Sequence, residues 1–349
     1  MRKFVALAFA LAVVLAAGVI VAQQPVPPSP WAYGFDGPAP ATPPAPAVGG
    51  GGRGAGPAAA PDTSLHQIAG STLSFTLAQI RDGSGPADWF PGDHPQMPDI
   101  VAHGRRDAQV NACALCHYPN GKGRAENAAV SGLPYSYFVQ TMMDFKNDLR
   151  KSADTRKANT NRMIAFAKAM TDDEIKAAAT YFGAIKWTPW VRVVETDTVP
   201  KTRIAGGLFL TLEGAEAGKE PIGQRIIEVP EKTEETETLR NPHSGFIAYA
   251  PPGSIKKGEA LVTNGAGKTT QCAVCHGQDL EGLGPVPGIA GRSPSYIVRQ
   301  LHDMQIGTRK GTWTDLMKPV VAKLTAEDML NIAAYTASRV PGESRRSSR

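Results

Sequence analysis

All four cysteines of this 349-residue chain fall in two pentapeptides, CALCH at 113–117 and CAVCH at 272–276. A C-x-x-C pair could be a redox-active dithiol, half of a zinc site, or part of a disulfide framework in an exported chain. The histidine decides. C-x-x-C-H is the pattern that attaches c-type haem. Two sulfurs one turn apart on a short helix can each add to one vinyl group of the porphyrin, and the next residue sets its imidazole under the iron as proximal ligand. A zinc site built from four cysteines wants its halves roughly 15–20 residues apart. Here roughly 155 residues separate them, and neither histidine would be needed. A thioredoxin-like pair wants a βαβ setting, which the sequence does not offer. The residues therefore read as two covalently bound haem c groups (iron). Cys113, Cys116, Cys272 and Cys275 would attach them, and His117 and His276 would bind the metal.

The elements that must position these residues come in duplicate. An offset of 159 superposes the motifs, then Gly123 on Gly282, Gly132 on Gly291, Tyr137 on Tyr296, Asp144 on Asp303 and Arg150 on Arg309. After five extra residues in the first copy, an offset of 154 puts Met163 on Met317, Thr171 on Thr325 and Tyr181 on Tyr335. Each copy reads as the motif, a Gly-rich loop, an amphipathic helix (Tyr135–Phe145, Pro294–Met304), a loop carrying a methionine, and a last helix. Thr171-Asp-Asp-Glu174 fits a capping box and Thr325-Ala-Glu-Asp328 nearly so. Upstream, 100–106 and 255–263 could be short first helices packed against the last, each with a glycine (Gly104, Gly258).

What fills the iron's other face separates a carrier from a catalyst. Met163 and Met317 match each other and are expected in a loop, so they are the candidate sixth ligands. A thioether closes the iron and raises its potential. Methionine is also common core filler: Met142, Met143, Met304 and Met329 read as helix packing, and Met170 aligns with Leu324. His66, His94, His103, His243 and His302 recur at no matched position and read as surface or packing residues.

Formal net charge is +5, or +3 without Arg2 and Lys3, too little to argue for nucleic acid. No phosphate loop, serine nucleophile elbow or H-E-x-x-H is present. Two basic residues precede an apolar run over 4–22, which reads as a signal peptide or an N-terminal membrane anchor. Either places the body outside the cytoplasm, periplasmic in a bacterium, soluble or tethered. Residues 23–63 are a Pro/Gly/Ala-rich linker, with Trp31, Tyr33 and Phe35 expected to dock on the folded body. Residues 341–349 read as a basic disordered tail.

At these residues the chain resembles the dihaem cytochromes c built from two class I cytochrome c domains, over roughly 97–186 and 251–340. The resemblance implies a mostly α fold with two such helical domains in tandem: 64–186 with an N-terminal extension, and 251–340. It makes the four cysteines thioether sites, His117 and His276 proximal ligands, and Met163 and Met317 distal ones. In that family a proline after the motif offers its carbonyl to the proximal histidine. Pro287 matches, whereas the first copy has Ala128, a carbonyl in a less fixed position. Three parts depart from the pattern: the 64–96 extension, the 187–250 connector, whose WVRVVETDTV and GQRIIEVPE alternate like strands, and the tail. Residues 228–240 hold five glutamates and read as a solvated acidic loop or a docking surface.

Two function classes follow. In the first, both irons are closed and the chain is an electron carrier between a dehydrogenase donor and an oxidase or respiratory-complex acceptor. In the second it is a dihaem enzyme, a peroxidase or an oxidiser of an inorganic anion, which needs an opening distal face. Matched methionines favour the carrier. A cytochrome subunit of a dehydrogenase complex is compatible with both.

Overall fold

The computed structural model describes residue 27, residues 29–39 and residues 63–342. The leader or anchor reading of 1–22, most of the linker and all but the first two residues of the tail lie outside the described residues. Among these, no helix is long and apolar enough to cross a membrane.

Each copy of the repeat folds as helices in the same order. The first runs Asp99–Ala102, Cys113–His117, Tyr135–Lys146, Ala158–Ala169 and Asp172–Ala184. The second runs Ser254–Asn264, Ala273–His276, Pro294–Gln305, Thr312–Val321 and Ala326–Ser338. Both last helices begin on complete capping boxes. The Thr171 and Thr325 hydroxyls accept from the N–H groups of Glu174 and Asp328, whose carboxylates accept in return from the threonine N–H. A backbone hydrogen bond ties each Gly-rich loop to its last helix: Gly132 N–H donates to Phe182 O and Gly291 N–H to Thr336 O, both at 2.9 Å. Both glycines take positive φ (67° and 69°), and a β-carbon on Gly291 would press into Pro189.

Two expectations need correction. The stretch around Gly104 forms only the single turn Asp99–Ala102. Gly104 itself turns at φ 65° beneath the Val110 and Asn111 backbone, ending the helix. Gly258, in contrast, sits inside the three-turn Ser254–Asn264, where the missing side chain brings that helix onto the Asn331 carbonyl of the last one. The second correction concerns the methionines. Both lie in helices, Ala158–Ala169 and Thr312–Val321, rather than in loops. ANTNRMIAFAKA contains no glycine or proline, and its alanines favour helix.

The connector is β-rich. Phe246–Ala250 lies between parallel Val191–Glu195 and antiparallel Ile227–Pro230, with small hairpins at Thr198–Pro200/Lys219–Pro221 and Thr202–Ala205/Leu208–Thr211. Its inward residues, among them Leu210, Ile227 and Ala248, share one buried cluster with Leu261, Ile332 and Ala333 of the second copy. The first copy has its own cluster, and the extension a third around Ile68, Ile80 and Trp89. Of the five glutamates over 228–240, Glu231 and Glu234 are exposed and Glu235 and Glu237 half-buried, whereas Glu228 lies in the Ile227–Pro230 strand and is buried, accepting from the Ser293 hydroxyl (2.9 Å) and the Ser295 N–H (2.6 Å).

The copies meet along matched positions. Arg150 and Arg309 form an antiparallel bridge, and Lys151 N–H donates to Thr308 O while Lys310 N–H donates to Leu149 O. The side chains cross: Arg150 donates to Tyr296 Oη and Arg309 to Tyr137 Oη, each at 2.9 Å, and both reach Gln300 Oε1. The residues around Trp31 dock here, as expected. Pro30–Tyr33 is a one-turn helix with Trp31, Ala32 and Tyr33 buried. Tyr33 Oη donates to Asp303 at 2.7 Å, Arg299 donates to Ala32 O, and Arg156 stacks on Phe35.

Candidate haem sites

Each motif sits on a one-turn helix that ends on a residue of positive φ, Tyr118 at 62° and Gly277 at 82°. The abrupt stop leaves the histidine on the helix end. Its Nδ1 meets a backbone carbonyl eleven residues on: His117 Nδ1 to Ala128 O and His276 Nδ1 to Pro287 O, both at 2.8 Å. Ala128 therefore supplies its carbonyl at the same distance as the proline. A neutral imidazole that donates from Nδ1 keeps its lone pair on Nε2, the nitrogen needed by a metal. Burial holds both histidines below the ordinary imidazole range, against the opposing pull of the carbonyl, and so favours the neutral form.

The thiols point the same way. Burial pushes Cys113 up to about 12 and Cys272 up to about 11, with the neighbouring cysteine adding to each. Thiols held protonated are poor redox nucleophiles and poor thiolate ligands. Among the described residues no three His, Cys, Asp or Glu side chains are gathered to hold a metal ion, so the two pairs do not combine in one cage.

The first motif opens on a cavity of about 1360 Å³, counted out through its mouth into open solvent. Cys113, Cys116, His117 and Met163 all line it, with Val130, Phe138, Met142, Phe166 and Phe182 forming apolar walls. Its polar part carries Arg150, Lys151, Lys157, Arg162 and Arg299 against Glu126 and Asp303. Apolar walls, an imidazole and a thioether in one lining, and an excess of cations suit a flat macrocycle with two carboxylates. Bound there, haem would supply a one-electron iron couple. Cys113 and Cys116 would hold it covalently, and the walls would exclude water. In the second copy Cys272 and half-buried Met317 pack against the same core cluster. None of His66, His94, His103, His243 or His302 lines the cavity. His302 instead bonds Tyr33 Oη (3.1 Å) and His94 bonds Asp88 (3.1 Å).

Reading the sequence assigned no role to the crossed Tyr–Arg–Gln contacts, although Tyr137, Arg150, Tyr296 and Gln300 line the cavity too. The available signal was the recurrence of the tyrosines and arginines at the 159 offset. Burial raises Tyr137, but the Arg309 and Arg150 guanidiniums more than reverse this and leave it below the ordinary phenol range. Burial, aided by Arg299, pulls the Lys157 ammonium down to about 7.

The sequence profile of the family described as Cytochrome c matches residues 101–185. The thiosulfate dehydrogenase electron acceptor of Stutzerimonas stutzeri is 33% identical over 242 residues, spanning 68% of this chain and 84% of that protein. The chain belongs to the cytochrome c family. Cytochrome c-554(548) of Halomonas halodenitrificans is 38% identical over 76 residues, which cover 22% of this cytochrome and 92% of that one. With cytochrome c-552 of Acidithiobacillus ferridurans the identity is 36% over 103 residues, 27% of this chain but only 44% of that protein's length. Membership implies covalently bound haem c, and electron transfer is the function the family carries.

Proposed function

We propose that this cytochrome is an exported dihaem electron carrier of two class I domains in tandem, with haem irons ligated by His117 and Met163 and by His276 and Met317. The observation that carries this reading is the pair of histidine–carbonyl contacts, equal in length at repeat-equivalent positions. One such contact could be incidental packing. Two, each beside a C-x-x-C and each leaving Nε2 free to bind, are what two proximal ligands require. Matched methionines close both irons, so substrate chemistry belongs to other proteins. The name of the Stutzerimonas relative supports a dehydrogenase as donor, with an oxidase or respiratory complex as acceptor.

The test is carbon monoxide binding to the dithionite-reduced, haem-loaded protein. Two haems per chain and no carbon monoxide adduct are expected. A readily formed adduct at one haem would remove the methionine from that site and shift the reading to a peroxidase-like enzyme.

A further inference from the structure

The polar end of the first motif's cavity is only partly made by the first copy. Arg299 and Asp303, which line it, stand on Pro294–Gln305 of the second copy, and both are buried. Behind them lies the docked N-terminal turn, which belongs to neither copy. The Ala32 carbonyl accepts from one Arg299 Nη, while the other donates to Ala125 O at 3.2 Å. Tyr33 Oη donates to Asp303 Oδ1 at 2.7 Å, and the Ala153 N–H donates to the same oxygen at 2.8 Å. With its one proton given to Asp303, the Tyr33 oxygen must accept from His302 Nδ1–H (3.1 Å). His302, Tyr33 and Asp303 thus form a chain in which each link polarises the next.

The turn is firmly seated. Gly34 takes φ 85° against the Gly207 backbone, where a β-carbon has no room. Arg156 lies over Phe35 and donates to Gly37 O at 2.9 Å. Asp144, the repeat mate of Asp303, has a different partner, Gln140 of its own helix. The turn therefore serves one copy's aspartate and not the other's.

A carboxylate's charge beside a haem favours the ferric state and lowers the potential, and in a dry wall the effect is strong. Burial favours the uncharged acid at Asp303, and the Tyr33 hydroxyl leads the groups that oppose it. The other charged groups facing Asp303 are Arg299 and His302 on its own helix and Arg309 just beyond it.

Resting on the two-haem reading above, we infer that the docked turn belongs to the first haem's electrostatic surroundings: Tyr33 is a positioning residue that fixes the Asp303 carboxylate at the cavity wall and so holds the first haem's potential down.

The experiment is a spectroelectrochemical titration of the full-length, haem-loaded protein near neutral pH, resolving two one-electron steps. Tyr33→Phe should raise one midpoint potential and leave the other in place. Asp303→Asn keeps the shape and the acceptor oxygen but not the charge, and should raise the same potential further. Added to Asp303→Asn, Tyr33→Phe should shift nothing more, because the charge through which it acts is gone. A stability loss in Tyr33→Phe with both potentials unchanged would make the hydroxyl a structural anchor and overturn the inference. So would a full Tyr33→Phe shift in the Asp303→Asn background. If Asp303→Asn loads haem poorly, Tyr33→Phe decides alone: one raised potential supports the inference, and none overturns it. Either overturning result leaves the two-haem carrier standing, whereas a wild-type chain with fewer than two reducible haems overturns the carrier reading and the inference resting on it.

Discussion

The two copies agree where the Gly-rich loop meets the last helix and part company one element before the motif. Gly132 and Gly291 share a conformation and a bond length, and both donate to the last helix. Gly104 and Gly258 share neither conformation nor purpose: one turns the chain, and the other lets two helices touch. Contacts that frame the motif are duplicated with the sequence. Contacts on the outside have been reassigned, in the first copy to the extension and in the second to the connector sheet.

The widest test of that comparison removes the proximal ligands. His117→Ala and His276→Ala should each leave one haem per chain, counted as the pyridine haemochrome. His117→Ala should disturb the fold more, because residues of the first core, among them Val130, Phe138 and Phe182, line the cavity, whereas the second core is continuous with the connector sheet. Equal losses of helical signal on heating would mean that the sheet gives the second copy no independent support.

Next in size is Gly258→Ala. Alanine would gain about 1 kcal/mol of helix propensity, but its methyl group would overlap the Asn331 carbonyl, which is backbone and cannot swing away. Overlap should win, with a net loss of about 2 kcal/mol in urea denaturation. No loss would show that the 254–264 and 326–338 helices can separate without penalty.

How far the sequence could be read follows the same division. The motifs, the 159 offset, both capping boxes and the 135–146 and 294–305 helices were all legible, because each depends on residues close in sequence. The truncated 99–102 helix was not, since Gly104 acquires its positive φ where the Val110 segment folds over it. Nor was the burial of Glu228, whose partners are 65 and 67 positions away. The methionine segments were read as loops because ligand chemistry outweighed propensity, yet Ala158–Ala169 has no residue that breaks a helix.

Asp144 and Asp303 sharpen the comparison further. Asp144 accepts from Gln140 at 2.8 Å within its own helix, whereas Asp303 accepts from Tyr33 and from the Ala153 N–H at 2.8 Å. Tyr33→Phe removes a hydrogen bond to a buried carboxylate and should cost about 2 kcal/mol by thermal or urea unfolding. A change within error would mean that the buried Trp31, the Arg156–Phe35 stack and the Arg299 bond to Ala32 O hold the docked segment without the Tyr33 hydroxyl.

The smallest effect is expected in the extension. Burial lowers the His94 pKa, but the Asp88 carboxylate and the Pro95 carbonyl outweigh it, and the net shift is upward. A raised histidine contributes stability in full below its unfolded value near 6.5 and loses it as pH rises through the higher folded value. The stability lost in His94→Gln should therefore be larger at pH ~5.5 than at pH ~9. A difference independent of pH would assign His94 to packing alone.

The crossed Arg150–Tyr296 and Arg309–Tyr137 contacts have the form of a symmetric dimer interface, with the same surface used twice. Here the two surfaces belong to one molecule. Tethering sets a high effective concentration of one copy around the other, so the seam can be polar and modest in area and still stay closed at any dilution. It also frees the chain from symmetry. A separate dimer would have to repeat every substitution on both sides, whereas a fused one can bury Leu115 of the first motif under Arg240 and leave its counterpart Val274 exposed in the second.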